Sequence, residues 1–282
     1  MRKRGKELLI LALLLLPALV TVLPLFLLLT GSLMDVQEIR ERLMPVFTGE
    51  GSFFFTAIPD YPTFLNYEKL LLETPQFFAL FWNSMRMTGA VLAGQLLVAV
   101  PAAFGFAVYK GKGSRLLFSL YTVLMLIPFQ VTMLSSYLVL TRLHLMNTQW
   151  AVILPAVFSA FPVFLCYGGF SAIPQAMLEA ARIDGAGEAG LFLRIGLPLG
   201  RGGICSALIL GFLECFNLIE QPMAFLDDKS LWPLSLYLPQ ITLSQAGFAF
   251  CASVMILIPA VFVFALGQDH LEQGIIYSGL KG

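Results

Sequence analysis

The sequence predicts an all-α, polytopic membrane protein with six transmembrane helices and one long cytoplasmic loop between the fourth and the fifth. Composition is the first reason: 58% of the 282 residues are hydrophobic and 12% are charged, about half the charge of a soluble domain. That is too little to cover a water-facing surface, and mean hydropathy is +0.84. Recurrence is the second: apolar runs of the ~20 residues that a helical span needs return six times. Charge placement is the third, with basic residues concentrated in the segments that fall on one side of the membrane.

Taken in order, Arg2, Lys3, Arg4 and Lys6 precede a charge-free run, Leu8 to Leu29. No small-residue cleavage site follows, so it reads as an uncleaved first helix and not as a removed leader. Gly31 to Gln76 carries Pro45, Pro59, Pro62, Pro75 and a Phe53-Phe54-Phe55 cluster. It is too broken for a span and too short for a domain, and reads as an extracytoplasmic loop packed on the membrane surface. Span two covers Phe78 to Val108, with Lys110, Lys112 and Arg115 in a short cytoplasmic turn after it. Span three, Leu116 to Leu140, contains Pro128 and Gln130, where a kink is expected. Thr141 to Thr148 connects to span four, Gln149 to Phe170. A hydrophilic loop occupies Ser171 to Gly202. Span five is Gly203 to Ile219, followed by an outer loop with Asp227, Asp228 and Trp232. Span six is Ala246 to Leu266, and Gly267 to Gly282 forms a tail. Residues 1–77 therefore form an N-terminal helix and outer loop, and residues 78–282 a five-span core.

With the N-terminus inside, the inner segments hold Arg2, Lys3, Arg4, Lys6, Lys110, Lys112, Arg115, Arg182, Arg194, Arg201 and Lys281. These are eleven of the seventeen basic residues. Of the other six, Arg40, Arg42 and Lys69 lie in the one long outer segment, which the positive-inside rule discounts. Both termini are thus expected in the cytoplasm.

Several functions are excluded by composition. Zero net charge leaves no footprint for nucleic acid. Cys166, Cys205, Cys215 and Cys251 sit in apolar runs without CxxC spacing and read as small buried hydrophobes. His144 and His270 have no spaced partner, so neither a metal nor another cofactor is expected. Gly111-Lys112-Gly113-Ser114 lacks the spacing of a phosphate-cradling loop, and no clustered catalytic set appears. The chain does not read as an enzyme.

The most informative stretch is Pro174 to Pro198. Pro174 suits a first helical position, where its missing N–H has no intrahelical partner to lose. Ala176 to Ala181 are strong helix formers, and Met177, Ala180, Ala181 and Asp184 share one face. Gly185 can take positive φ and ends the helix. Leu191, Ile195 and Pro198 lead a second amphipathic piece back to apolar sequence. Helix, glycine turn and helix, placed in water between two spans, make a docking element.

The same stretch carries a resemblance. Glu179-Ala180-Ala181, three residues, Gly185, nine residues, Ile195, one residue and Leu197-Pro198 resembles, without a gap, the EAA loop of permease subunits of ABC importers. Further matches resemble the carbohydrate-uptake branch of the maltose-transporter type. They are Trp82-Asn83-Ser84, Ile127-Pro128-Phe129-Gln130, Ile173-Pro174, Ile183-Asp184-Gly185-Ala186 and the tail Gly279-Leu280-Lys281-Gly282. One departure is Phe216-Asn217 with Pro222 five on and Glu214 before it, where that branch often has Trp-Asn and a proline. Substrate contacts therefore do not transfer.

The resemblance implies a bacterial inner-membrane subunit whose loop at 171–202 docks on a cytoplasmic ATPase. Glu179, Ala180, Ala181, Asp184, Gly185, Ile195, Leu197 and Pro198 would be the coupling residues. It implies a dimer of ATP-binding subunits, a second homologous permease subunit that completes the pathway, and an extracytoplasmic solute-binding protein. Polar residues inside spans are candidates for the pathway, because they usually face a bundle interior or water. Glu214 and Asn217 stand three apart on span five, on one face. Gln130 and Asn83 are the others, although Asn83 also reads as a structural cap, and Arg86 as a side chain snorkelling to the outer interface. Two rivals remain on the sequence alone: an EAA-type permease for a non-sugar solute, and a secondary transporter. The latter wants intramembrane carboxylates or broken helices in two matching repeats, and no repeat is evident.

Overall fold

A computed structural model describes residues 2–49, 58–237 and 245–279. The Phe53-Phe54-Phe55 cluster and the last three residues of the tail, 280–282, lie outside the described residues. Regular structure among the described residues is helical, apart from one isolated antiparallel bridge between Met34 and Pro62. Five segments are long and apolar enough to cross a membrane: Leu13–Ser32, Pro75–Val108, Trp150–Ser171, Glu188–Phe216 and Ala246–Asp269. A further pair, Lys112–Met125 with Phe129–Arg142, meets the same test jointly but is bent by 103°.

The chain forms two compact units, Met1–Phe78 with Leu238–Ile258, and Ala79–Tyr237 with Pro259–Gly282. In the first unit, α1 (Arg2–Ser32) is followed by α2 (Val36–Thr48). Asp35 caps α2 by accepting from the Gln37 N–H at 3.1 Å, and Gly49 ends it at φ +71°. Glu38 is buried and accepts from the N–H groups of Asp60 and Tyr61 at 3.0 and 3.2 Å. It also pairs with Arg42 at 3.2 Å, and Arg42 reaches Asp60 as well. Part of the stretch that reads as a broken outer loop is thus a capped helix strapped to the segment behind it. After α3 (Leu65–Glu68), the buried Asn66 amide donates to the Met34 carbonyl at 3.1 Å and Tyr67 donates to Ser32 at 2.8 Å.

The second unit begins within α4 (Pro75–Val108) and continues through α5 (Lys112–Met125) and α6 (Phe129–Arg142). The expected kink in span three is a full break. Pro128 has no N–H and disfavours helix at Ile127 before it. The chain closes α5 with tight bonds from Leu126 and Ile127 to the Val123 and Leu124 carbonyls. Pro128, extended at ψ 149°, then caps α6. Span four is also broken, into α7 (Trp150–Val157) and α8 (Ala160–Ser171). Here Pro162 is responsible: a helix continuing through Phe158 would need an N–H at 162 for the Phe158 carbonyl, and proline supplies none.

Beyond α8 come α9 (Gln175–Ile183) and α10 (Glu188–Gly190), a π-helical turn over Leu191–Gly196, and α11 (Leu197–Phe216). The last three run on as one helical segment, so span five begins well inside the stretch read as loop. Pro198 cannot donate to the Arg194 carbonyl, and the ladder widens to the π spacing just before it. The helices α8 and α11 pack closely. A side chain at Gly169 would meet the Gly203 backbone at 3.0 Å, and one at Gly203 would meet the Gly169 and Leu165 backbones at 3.0 Å. Small residues let two backbones approach in this way in membranes. A short α12 (Glu220–Phe225) follows, and α13 (Ala246–Gly279) closes the described chain. The tail expected from Gly267 is thus helical as far as Gly279.

Candidate functional site

Two features of the second unit carry candidate functional residues: the α9–α10 turn and a cavity between broken helices.

The Pro174 backbone is extended (ψ 131°), so this residue stands at the cap, one position before the helix and not inside it. Leu178 is buried at 1% exposure and Leu191 at 0%, in one cluster with Phe104, Val108, Phe170 and Ile173. Ala181, Ala186, Ile195 and Leu197 pack half-buried against that cluster. The helix end is closed by two bonds, from Gly185 N–H to Arg182 O at 3.1 Å and from Ala186 N–H to Ala181 O at 2.9 Å. Gly185 sits at φ +84°. This is a Schellman closure with glycine in the left-handed position. Asp184 precedes it at the C-cap, its N–H bonded to the Ala180 carbonyl at 3.0 Å.

Among the described residues nothing covers the opposite side of α9. Met177, Glu179, Ala180 and Asp184 are exposed, and Ile183 is 86% exposed. Ala181, expected on the same face as Ala180, is turned partly inward, because Leu178 and Ala181 are the i, i+3 pair that seats the helix. Pro198 is exposed in the first turn of α11. A polar clamp holds the turn from the side: the Glu188 carboxylate accepts from the Tyr109 hydroxyl and from Arg182 Nε, the latter at 3.4 Å. The bond to Glu188 pushes the Tyr109 hydroxyl up from its usual range.

The cavity encloses about 710 Å³. Its walls come from the two helix breaks, at Ile127 to Phe129 and Phe158 to Phe161, from Glu214 and Cys215 at the end of α11 with Leu218 just beyond it, and from Gln95 on α4. Irregular backbone at membrane depth is tolerated where it lines a cavity, and both breaks do. Of the four residues singled out for a pathway, Glu214 is among the lining residues, and Asn83, Gln130 and Asn217 are not.

Asn217 stands one residue past the end of α11, its amide bonded back to the Leu213 carbonyl at 2.8 Å. Gln130 donates to Glu220 at 2.7 Å, joining α6 to α12. Asn83 is buried, donates to the Ser230 and Trp232 carbonyls at 2.7 and 3.1 Å, and accepts from Arg86 and Gln149 at 2.6 and 3.0 Å. All four positions of its amide are occupied. Arg86, read as snorkelling outward, turns back to Asn83 and the Trp82 carbonyl. Ser84 accepts from the Leu234 N–H at 2.8 Å, so the Asn-Ser pair moors the segment after α12 to α4.

Sequence reading passed over Gln95, Thr132, Ser136, Ser159 and Gln221, all of which line the cavity. Gln95 was visible: it is the lone amide deep in an apolar span, the property that drew attention to Glu214. Its Nε2 donates to the Ala156 carbonyl at 3.0 Å, beside the α7–α8 break.

The fold and the cavity define a membrane transport component, and comparison gives the family. Residues 95–277 match the family described as the binding-protein-dependent transport system inner membrane component. The match covers more than half of the chain, which belongs to this family and is a multi-pass inner-membrane permease subunit of an ABC importer. It is 29% identical over 227 residues to the arabinooligosaccharides transport system permease protein AraQ of Halalkalibacterium halodurans, covering 79% of this chain and 81% of that one. It is 28% identical over 280 residues to the protein LplC of Bacillus subtilis, covering 93% and 90%. Among solved structures, a chain of a bacterial ABC transporter involved in the import of the acidic polysaccharide alginate shares the fold. The TM-score is 0.80 at 20% identity, over 95% of this chain and 97% of that one.

Proposed function

We propose that this subunit supplies half of the translocation pathway for a sugar or oligosaccharide, driven by ATP hydrolysis on a separate subunit. In this reading α5 and α6 together make one crossing, giving six spans with both termini and the 171–202 loop in the cytoplasm. Residues 78–282 are the permease core, and residues 1–77 an added helix and outer segment. The uncovered face of α9 seats in a groove of one member of an ATPase dimer. Glu179, Ala180 and Asp184 lie at that contact, Gly185 sets the turn, and Ile195, Leu197 and Pro198 pass the movement into α11. A second, homologous permease subunit completes the pathway, and an extracytoplasmic binding protein delivers the solute. Closure of the ATPases rocks the two permease halves.

The observation that carries the coupling reading is the asymmetry of α9. One side is buried through Leu178, while the other presents Met177, Ala180 and Ile183 to solvent at the only EAA-spaced stretch of the chain. The carbohydrate reading rests on relatives such as AraQ, whose name states arabinooligosaccharide transport. The test is purification of the tagged chain from its native membrane, with identification of what accompanies it. Recovery with an ATPase, a second permease and a binding protein that takes up sugars is the expected result. Recovery of the chain alone, carrying solute into liposomes without ATP, would overturn the reading.

A further inference from the structure

We propose that the cavity selects uncharged, hydroxyl-rich solutes over acidic ones, and that Glu214 sets this choice. The proposal rests on the carbohydrate-importer reading and goes beyond it to the charge class of the solute. The alginate importer that shares the fold is involved in the import of an acidic polysaccharide, so the fold alone does not decide between the classes.

The lining that this subunit contributes favours the neutral class. Among the described residues that line the cavity there is one carboxylate, Glu214, and no lysine, arginine or histidine. The other polar groups are neutral. The hydroxyls of Thr132, Ser136 and Ser159 both donate and accept, which suits the hydroxyls of a neutral sugar. In the wall, Gln95 and Gln221 each leave the amide oxygen buried with no donor among the described residues. For Gln95 the orientation follows from its partner: the Ala156 carbonyl only accepts, so the nitrogen must face it and the oxygen is left over.

Backbone adds no net positive charge. The first turns of α6 (Phe129, Thr132) and α8 (Ala160, Phe161) share the wall with the last turns of α5 (Leu124, Met125), α7 (Pro155, Ala156) and α11 (Cys215), and helix starts and helix ends carry opposite partial charges. A uronate would bring its charge beside the Glu214 carboxyl group, with no lysine, arginine or histidine of this subunit in the wall to meet it. A neutral oligosaccharide of the same length meets no such barrier.

The test uses the purified transmembrane complex with its ATPases in nanodiscs, omitting the binding protein so that only the cavity chooses. Equilibrium binding is measured for a radiolabelled neutral galacto-oligosaccharide and for an oligogalacturonate of equal length. The same measurements are made on Glu214→Gln and Glu214→Lys, the former as the conservative variant should the latter fail to assemble. The expected result is a preference of at least about ten-fold for the neutral ligand, reduced in Glu214→Gln and reversed in Glu214→Lys. Equal binding of the uronate by the native complex, or an unchanged preference in both variants, would overturn the proposal, as would binding of neither ligand at millimolar concentration. ATP-driven uptake of the neutral ligand, with the binding protein restored, separates the two levels. If uptake persists while the preference is absent, only the charge selection falls. If no carbohydrate is taken up, the importer reading falls with it.

Discussion

The Tyr109 hydroxyl, one residue beyond the end of α4, donates to the carboxylate of Glu188 at the start of α10. A hydrogen bond cannot form across a bilayer, so these two points share one side of the membrane. The chain between them must cross an even number of times. Trp150–Ser171 is one crossing by length and composition, and only the bent pair α5–α6 can provide the other. The Tyr109–Glu188 contact thus supports counting that pair as a span and not as a re-entrant loop, which is what six spans require. Single cysteines introduced as Lys112→Cys and Ile183→Cys should react with a membrane-impermeant thiol reagent only from the cytoplasmic side. Labelling of the two from opposite sides would mean that α5–α6 does not cross.

Gly185 offers the cleanest separation of backbone from contact effects. A side-chain carbon added there meets nothing within 4 Å, so the cost of substitution is conformational. An L-residue at φ +84° costs about 1–2 kcal/mol, and a β-branched residue costs more. Gly185→Asn should retain most transport, Gly185→Ala less, and Gly185→Val least, with basal ATPase activity preserved in all three. The measurement is solute moved per ATP hydrolysed in proteoliposomes. Unchanged transport in Gly185→Val would remove the turn from the coupling path.

Asn83 is expected to act on stability and not on solute affinity. In Asn83→Ala the Ser230 and Trp232 carbonyls and the Gln149 amide lose their partner; all three bonds are part-buried, so the total cost is about 1–3 kcal/mol and not that amount for each. Thermal unfolding in detergent should fall clearly, while the concentration of solute giving half-maximal uptake stays the same for the protein that remains folded. A shifted uptake constant with an unchanged unfolding temperature would return Asn83 to the pathway.

Much of this architecture is legible in the residues because the signals are local. The α9 helix with its glycine stop follows from helix propensity and one obligatory φ. Asp35 and Glu38 spell a helix start within a segment whose prolines read as loop. The break in span four follows only when Pro162 is matched with the carbonyl four residues before it, that of Phe158. Which polar residues meet at the cavity was less accessible. Glu214 lines the cavity, whereas Asn217, three residues on at the C-cap of α11, turns its amide back to the Leu213 carbonyl. Gln95 joins Glu214 across 119 positions of sequence, where Gly211 leaves room for its amide on α11. Such pairings depend on tertiary packing and carry no spacing to read.

The central claim is that the open face of α9 is the contact through which a separate ATPase drives this permease. Ile183→Cys, labelled with a thiol-reactive photocrosslinker in native membranes, tests it directly. Ile183 is 86% exposed, and the four native cysteines are buried or half-buried, so reaction concentrates at position 183. The account predicts a crosslink to an ATP-hydrolysing protein, lost when the label is moved to the buried Leu178. Solute import by the labelled membranes with no crosslink to any ATPase would contradict it.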